Sequence, residues 1–177
     1  MNIYVDATTL IALGQVEELE LLCVFGAGVL IPNPIHDEVT SEPAKTGLDA
    51  KLHSAQHDLF LTGKNAEYIE KAREVLDAEQ EFGDVWLIAD VLSHDAVNDA
   101  VAVVSDDRRV RTVARGLGAT VTGTIGVVVR NVADGELTAD EAKALVRRLD
   151  SHGLHMTGEL REKAAELIDD AAEEIGE

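Results

Sequence analysis

Apolar residues are distributed along this chain in two rhythms. Short unbroken runs rich in β-branched residues occur at "IYV" from Ile3 to Val5, "VLI" from Val29 to Ile31, and "VAVV" from Val101 to Val104. Runs of that length without polar alternation are what strands covered on both faces show. "DLFLTG" predicts a further short strand, and "ATVTG" a last one before Gly123. Between the runs, apolar residues recur every three or four positions, the spacing of a helix with one buried face. That spacing predicts a short helix ending near Gly14, a second over "VEELELLCVF" closed by Gly26 and Gly28, and a third after Pro32, with Pro34 in its first turn. It continues over "KNAEYIEKAREVLDAE", over "GDVWLIADVLSH", and from Arg108 to Arg115, where Val110, Val113 and Ala114 make the inner side. After Gly123 the pattern is helical throughout, in "TIGVVVRNVADG", "TADEAKALVRRLDSHG" and "TGELREKAAELIDDAAEEIG". Thr138 and Glu141 have the spacing of a capping box. Strands alternating with helices predict an α/β fold: three layers, α/β/α, with a central parallel twisted sheet, followed by C-terminal helices. The expected organisation is a main domain over 1–135 and a helical extension over 136–177 packed on it.

Composition narrows this picture. A chain of 177 residues has the length of one domain. Apolar residues make up 46% but aromatics only 3%, so the core must be built from Val, Ala, Leu and Ile. The single Cys23 excludes an internal disulfide and any multi-cysteine zinc site. No apolar stretch has the length needed to cross a bilayer, and "MNIYVDATTL" lacks a signal-peptide pattern. A cytoplasmic location without membrane association is therefore expected. The 34 Asp and Glu residues against 15 Lys and Arg leave a net charge of −19. Spread over a whole domain, such an excess predicts a halophilic protein that stays soluble in a very salty cytoplasm. There the Debye length falls to about 3 Å at 1 M and screens the self-repulsion.

The position of certain acids matters more than their number. In an open parallel sheet, ligands bind beyond the carboxyl ends of the strands. Asp6 ends the first strand, and Asp106 and Asp107 end the "VAVV" strand. Glu38 lies on the helix after the second strand, and Asp84 opens a helix behind Gly83. Each has a simpler role open to it: a helix cap for Asp6, Asp106 or Asp107, a solvated helix face for Glu38, a helix dipole for Asp84. One cap before the Arg108 helix accounts for one aspartate of the pair and leaves the other over. If the strand ends are neighbours, the carboxylates converge. Two of them about 4 Å apart repel by roughly 4 kcal/mol at an effective dielectric near 20, which calls for protons or a cation. Oxygen-only ligands favour Mg²⁺ or Mn²⁺, and such an ion stabilises charge building on a phosphate and activates water. Arg108, Arg109, Arg111 and Arg115 are the densest basic group. Helical spacing aligns Arg108, Arg111 and Arg115 along one side, as candidate substrate-binding residues.

With these positions named, the chain resembles the PIN-domain ribonucleases, the fold of VapC-type toxins, over nearly its whole length. The matching pieces, in order, are "IYVDATTLIAL", "VLIPNPIHDEV", "GDVWLIAD" and "SDDRRVRTVA". The stretch "DDRRVRTVARGLGATVTGTIGVVV" is similar to a prokaryotic subgroup of uncharacterised toxin-like PIN proteins. The resemblance implies a PIN-like nuclease domain over 1–135 and metal-dependent RNA phosphodiester hydrolysis, the activity of an endoribonuclease and of the toxin of a toxin–antitoxin system. It makes Asp6, Glu38, Asp84 and Asp107 the catalytic acids, with Asp6, Asp84, Asp106 and Asp107 around the metal and Asp107 favoured over Asp106. Ser105 falls at the supporting hydroxyl position. The implied partners are RNA and an antitoxin protein. A homodimer is expected because "LIALG" and "LELLCVF" carry more apolar surface than one sheet edge needs.

Two other readings compete. A receiver or haloacid-dehalogenase domain also places carboxylates at strand ends. A receiver, however, wants its acidic pair near the first strand and a late lysine, and a dehalogenase wants an acid where Thr8 stands. A non-catalytic interaction module with a PIN fold would keep the architecture without the chemistry.

Overall fold

The computed structural model describes residues 1–176 apart from 27, 55–58, 64–65 and 97–98. Five strands form one sheet: β1 (Asn2–Val5), β2 (Val29–Pro32), β3 (Leu59–Thr62), β4 (Val101–Val104) and β5 (Thr120–Thr122). Their order is β3-β2-β1-β4-β5, and every pair is parallel. β4 is buried at all four positions, which is why its sequence is an unbroken apolar run. It pairs with β1 in the register Ile3 to Ala102 and Tyr4 to Val103.

The order explains the layers. β1, β2 and β3 step outward in one direction, whereas β4 and β5 lie on the other side of β1. Right-handed crossovers therefore put the intervening helices on opposite faces. One group comprises α1 (Ala7–Gln15), α3 (Ala44–His53), α7 (Thr124–Ala133), α8 (Ala139–Leu149) and α9 (Gly158–Gly176). The other comprises α4 (Ile69–Leu76), α5 (Gly83–Asp95) and α6 (Arg108–Gly116). The short α2 (Asn33–Glu38) touches both α1 and α5 across the end of the sheet. The direction of winding reverses between β1 and β4, the switch point where an open α/β sheet leaves a crevice.

Several elements differ from expectation. "LELLCVF" forms a 3₁₀ helix, Leu19–Phe25, ended by Gly26 in the left-handed region at φ 59°. α3 was not anticipated: Ala44 and Leu48 are its buried residues, too few for a periodic signal. The predicted starts at Asp58 and at Lys64 and Asn65 lie outside the described residues; β3 is described from Leu59 and the next helical turn from Ala66. The Thr138–Glu141 capping box is present on α8. Leu10, Leu13, Leu19, Leu21 and Leu22, from the stretches expected at a dimer interface, are all buried within the chain. α1 packs on α3 and α8, and the 3₁₀ helix on α7, so intramolecular contacts absorb that apolar surface. α9 adds Ala164, Ile168 and Ala171 to the same core as the sheet.

Candidate active site

The sheet order brings the carboxyl ends of β2, β1 and β4 side by side, and the acids follow. Asp6 continues β1 by one residue: its N–H donates to the Val104 carbonyl at 2.9 Å. The side chain then turns to cap α1, Oδ1 accepting from the Ala7 N–H at 2.8 Å. Oδ2 accepts from two hydroxyls, Ser105 at 2.7 Å and Thr8 at 2.9 Å. Asp6 is only 4% exposed. Burial pushes its pKa up; the bonds from Ser105, Thr8 and Ala7 pull against that, and the nearby charge of Asp107 adds to the rise.

Ser105 is completely buried and links two acids. Its hydroxyl donates to Asp6 and accepts from the Asp107 N–H at 3.1 Å. Asp107 is exposed and is the N-cap of α6, with Oδ1 accepting from the Val110 N–H at 2.9 Å. Asp106 turns the other way. Its Oδ1 accepts from the Thr124 N–H at 2.9 Å, and its Oδ2 from the Thr124 hydroxyl. So both aspartates cap helices, but different ones: Asp107 holds α6 and Asp106 the start of α7. The helix after β4 takes one aspartate of the pair as its cap, and the one left over bonds the start of a helix that begins 18 residues on.

Glu38 ends α2 and meets the opening of α5. Its Oε1 accepts from the Gly83 N–H at 2.6 Å. A Cβ on Gly83 would stand 2.7 Å from Ile35 Cγ1 and 3.0 Å from Glu38 Oε2, so glycine is what lets the carboxylate dock there. Glu38 is exposed overall, yet its carboxyl is turned against Gly83. Loss of water around that carboxyl raises its pKa, and the charges of Asp6 and Asp84 raise it further. Asp84, one residue on, accepts from the Val85 N–H at 2.8 Å through Oδ1 and pairs with Arg109 Nη2 at 2.6 Å through Oδ2. Arg109 also donates to the Leu76 carbonyl at 3.2 Å. Electrostatically the acids form a chain: Asp107 acts on Asp6, and Asp6 and Asp84 act on Glu38.

Among the candidate substrate-binding arginines, Arg108 and Arg115 are exposed. Arg111 is half-buried, with a buried Nε that has no hydrogen-bond partner among the described residues. Sequence reasoning missed the roles of Thr8, Thr124 and Arg109. Thr8 lies two residues after Asp6 and was legible as a local hydroxyl partner; the reach of Asp106 to Thr124 and of Arg109 to Asp84 leaves no local mark.

Among the described residues, no three His, Cys, Asp or Glu side chains stand together as a ready metal cage. The donor set is nonetheless all oxygen, and Glu38 Oε2 and Asp107 Oδ2 accept no hydrogen bond among the described residues. A Mg²⁺-sized ion keeps several waters and needs only one or two carboxylates, so this set fits a hard, largely hydrated divalent ion.

The model of a PIN-domain family matches residues 2–170. The chain belongs to the PIN-domain family. The match begins in β1 and ends inside α9, so it includes every acid described above. No curated protein matches the chain. PIN domains are in general nucleases that use divalent metal ions, and this places the chain among hydrolases of nuclease type. No helix among the described residues is long and apolar enough to cross a membrane.

Proposed function

We propose that the protein is a Mg²⁺- or Mn²⁺-dependent endoribonuclease whose site is formed by Asp6, Glu38, Asp84 and Asp107. The observation that carries this is the chain of mutually repelling carboxylates at the adjoining ends of β2, β1 and β4, two of them with raised pKa values. Asp107 would meet the cation through Oδ2, while Asp6 and Asp84, whose oxygens already accept hydrogen bonds, would hold it through its waters, with Asp106 behind them. A divalent ion bound there supplies charge stabilisation for a phosphate and a more acidic water. Ser105 and Thr8 fix the Asp6 carboxylate in one orientation. Glu38 keeps Oε1 on Gly83 and offers Oε2 to take the proton of an attacking water, a role suited to a carboxylate with a raised pKa. Arg108, Arg111 and Arg115 are the phosphate contacts, positioning RNA without reading its sequence.

The test is RNA cleavage at high salt with Mg²⁺ or Mn²⁺, with and without chelator. Asp6→Asn should abolish cleavage while keeping a cooperative melt. Undiminished cleavage by that variant would refute the assignment. A second reading, a non-catalytic interaction module, is favoured by two contacts: Arg109 occupies Asp84, and Thr124 occupies both oxygens of Asp106. Absence of any metal-dependent cleavage by the folded parent would select it.

The wider reading makes the protein cytoplasmic and the toxin of a toxin–antitoxin pair, with an antitoxin protein as partner. A homodimer now rests on the edge strand β3, where Phe60 and Leu61 are each 45% exposed. Sedimentation at micromolar concentration in molar salt tests it.

A further inference from the structure

The segment between α8 and α9 lies against the acidic centre. A cleft of about 350 Å³ opens between α1, the Asp106–Asp107 pair and this turn. Ile11, Ala12 and Leu154 give it apolar walls; Thr8, Asp107 and His152 give it polar ones. The same Thr8 hydroxyl donates to Asp6, so the cleft and the acidic centre share a side chain.

The turn is held in shape. Asp150 Oδ1 accepts from the Met156 N–H at 2.9 Å, and Oδ2 pairs with Arg161 Nη1 at 2.6 Å. The Ser151 hydroxyl donates to the Arg147 carbonyl at 2.6 Å. Gly153, at φ 115°, takes a backbone conformation that a side chain would strain. His152 has Nδ1 2.8 Å from the Arg148 carbonyl, which assigns the ring proton to Nδ1 and orients the imidazole. An exposed ring on a pinned turn binds without a large ordering cost.

The chemistry selects among occupants. Two carboxylates on one wall repel a phosphate group. An apolar floor with a flat ring at its rim suits a nucleobase, since unpaired bases stack on side chains such as histidine. The volume is at the low end for ligand pockets, roughly 300–1,000 Å³, the scale of one nucleotide unit and not of a duplex.

We propose that this cleft is a base-binding subsite, in which His152 stacks on one nucleobase of single-stranded RNA while the adjoining backbone lies at the acidic centre. The proposal deepens the nuclease reading and rests on it, but its test does not use cleavage. A single-stranded RNA oligonucleotide is titrated into the protein at fixed high salt with chelator, which withholds the ion that cleavage needs. His152→Ala should weaken binding roughly 5- to 160-fold, the range for one base–ring stack. His152→Phe should retain binding, and Leu154→Trp should block the cleft while keeping a cooperative melt. An oligonucleotide made abasic at the bound position should bind the parent as weakly as the intact one binds His152→Ala. Equal binding by parent and His152→Ala, or base-independent or absent binding by the parent, would overturn the subsite. Base-dependent binding lost in His152→Ala, with no cleavage under any metal, would leave the subsite standing and remove the nuclease. Metal-dependent cleavage lost in Asp6→Asn, with binding unaltered in His152→Ala, would do the reverse.

Discussion

Ser105→Ala separates a supporting hydroxyl from mere packing. Ser105 is completely buried, so water does not readily replace its hydroxyl. The hydroxyl donates to the Asp6 carboxylate at 2.7 Å and accepts from the Asp107 N–H at 3.1 Å. A hydrogen bond to a charged group contributes about 1.5–3 kcal/mol. For a chain of 150–250 residues, 1 kcal/mol shifts Tm by about 2–4 °C, so the variant should melt about 3–12 °C lower at neutral pH. The loss should also depend on pH. Asp6 already has a raised pKa, and Ser105 is the strongest of the groups pulling it back. Without Ser105 the folded-state pKa rises further. A carboxyl whose folded pKa exceeds its unfolded value contributes stability that is present below the unfolded pKa, near 3.9, and is lost as pH rises through the folded pKa. The cost of Ser105→Ala should therefore be largest near pH 7.5 and shrink as pH falls through the Asp6 pKa. Paired thermal melts of parent and variant from about pH 7.5 to about pH 4.5 read this directly. A Tm loss of the same size at every pH would refute the bond to an ionised Asp6, and so would a loss below about 1 kcal/mol.

The remaining predictions follow the same contacts. Glu38→Gln keeps an oxygen for the Gly83 N–H and removes a charge with a raised pKa, so its stability should exceed the parent's at neutral pH, with the gain fading toward the ordinary glutamate range. Glu38→Ala removes the acceptor and should cost about 1–3 kcal/mol; urea melts at two pH values separate the two variants. Arg109→Gln removes a half-exposed ion pair, so it should cost at most about 1 kcal/mol while freeing Asp84 Oδ2. Stabilisation by Mn²⁺ at constant ionic strength should then need less metal, and an unmoved midpoint would take Asp84 out of the ion site. Gly14→Ala tests the contact of α1 with α3: a Cβ there would lie 2.6 Å from Ala44 Cβ and 2.7 Å from Ala44 Cα. The helix-propensity gain of about 1 kcal/mol should lose to overpacking of about 1–3 kcal/mol, and a raised Tm would contradict it.

Much of the architecture was legible because burial leaves a pattern. β4 is apolar at every position because both faces are covered, and the alternation of strands with helices implied the parallel sheet. α3 was not legible because a helix that buries little more than Ala44 and Leu48 carries almost no periodic signal. The 3₁₀ form of "LELLCVF" was hidden because apolar content alone does not distinguish a 3₁₀ turn from an α-turn.

The acids show the same divide at finer grain. Their positions at strand ends were readable, since strand ends are marked by where apolar runs stop. Apart from Ser105, which the family resemblance offered as a supporting hydroxyl, what each carboxylate is already bonded to was not, because those partners are distant along the chain: Gly83 for Glu38, Arg109 for Asp84, Thr124 for Asp106. Yet those partners decide which oxygens remain for an ion. Asp106 has both oxygens taken by Thr124, whereas Asp107 commits only Oδ1, to the start of α6. The adjacent pair therefore divides its work by rotation of the side chain. Asp106 ties the β4 end to α7, and the freer Asp107 stays within electrostatic reach of Asp6. Preference for Asp107 as the ion-facing acid thus gains a physical reason that spacing alone did not supply.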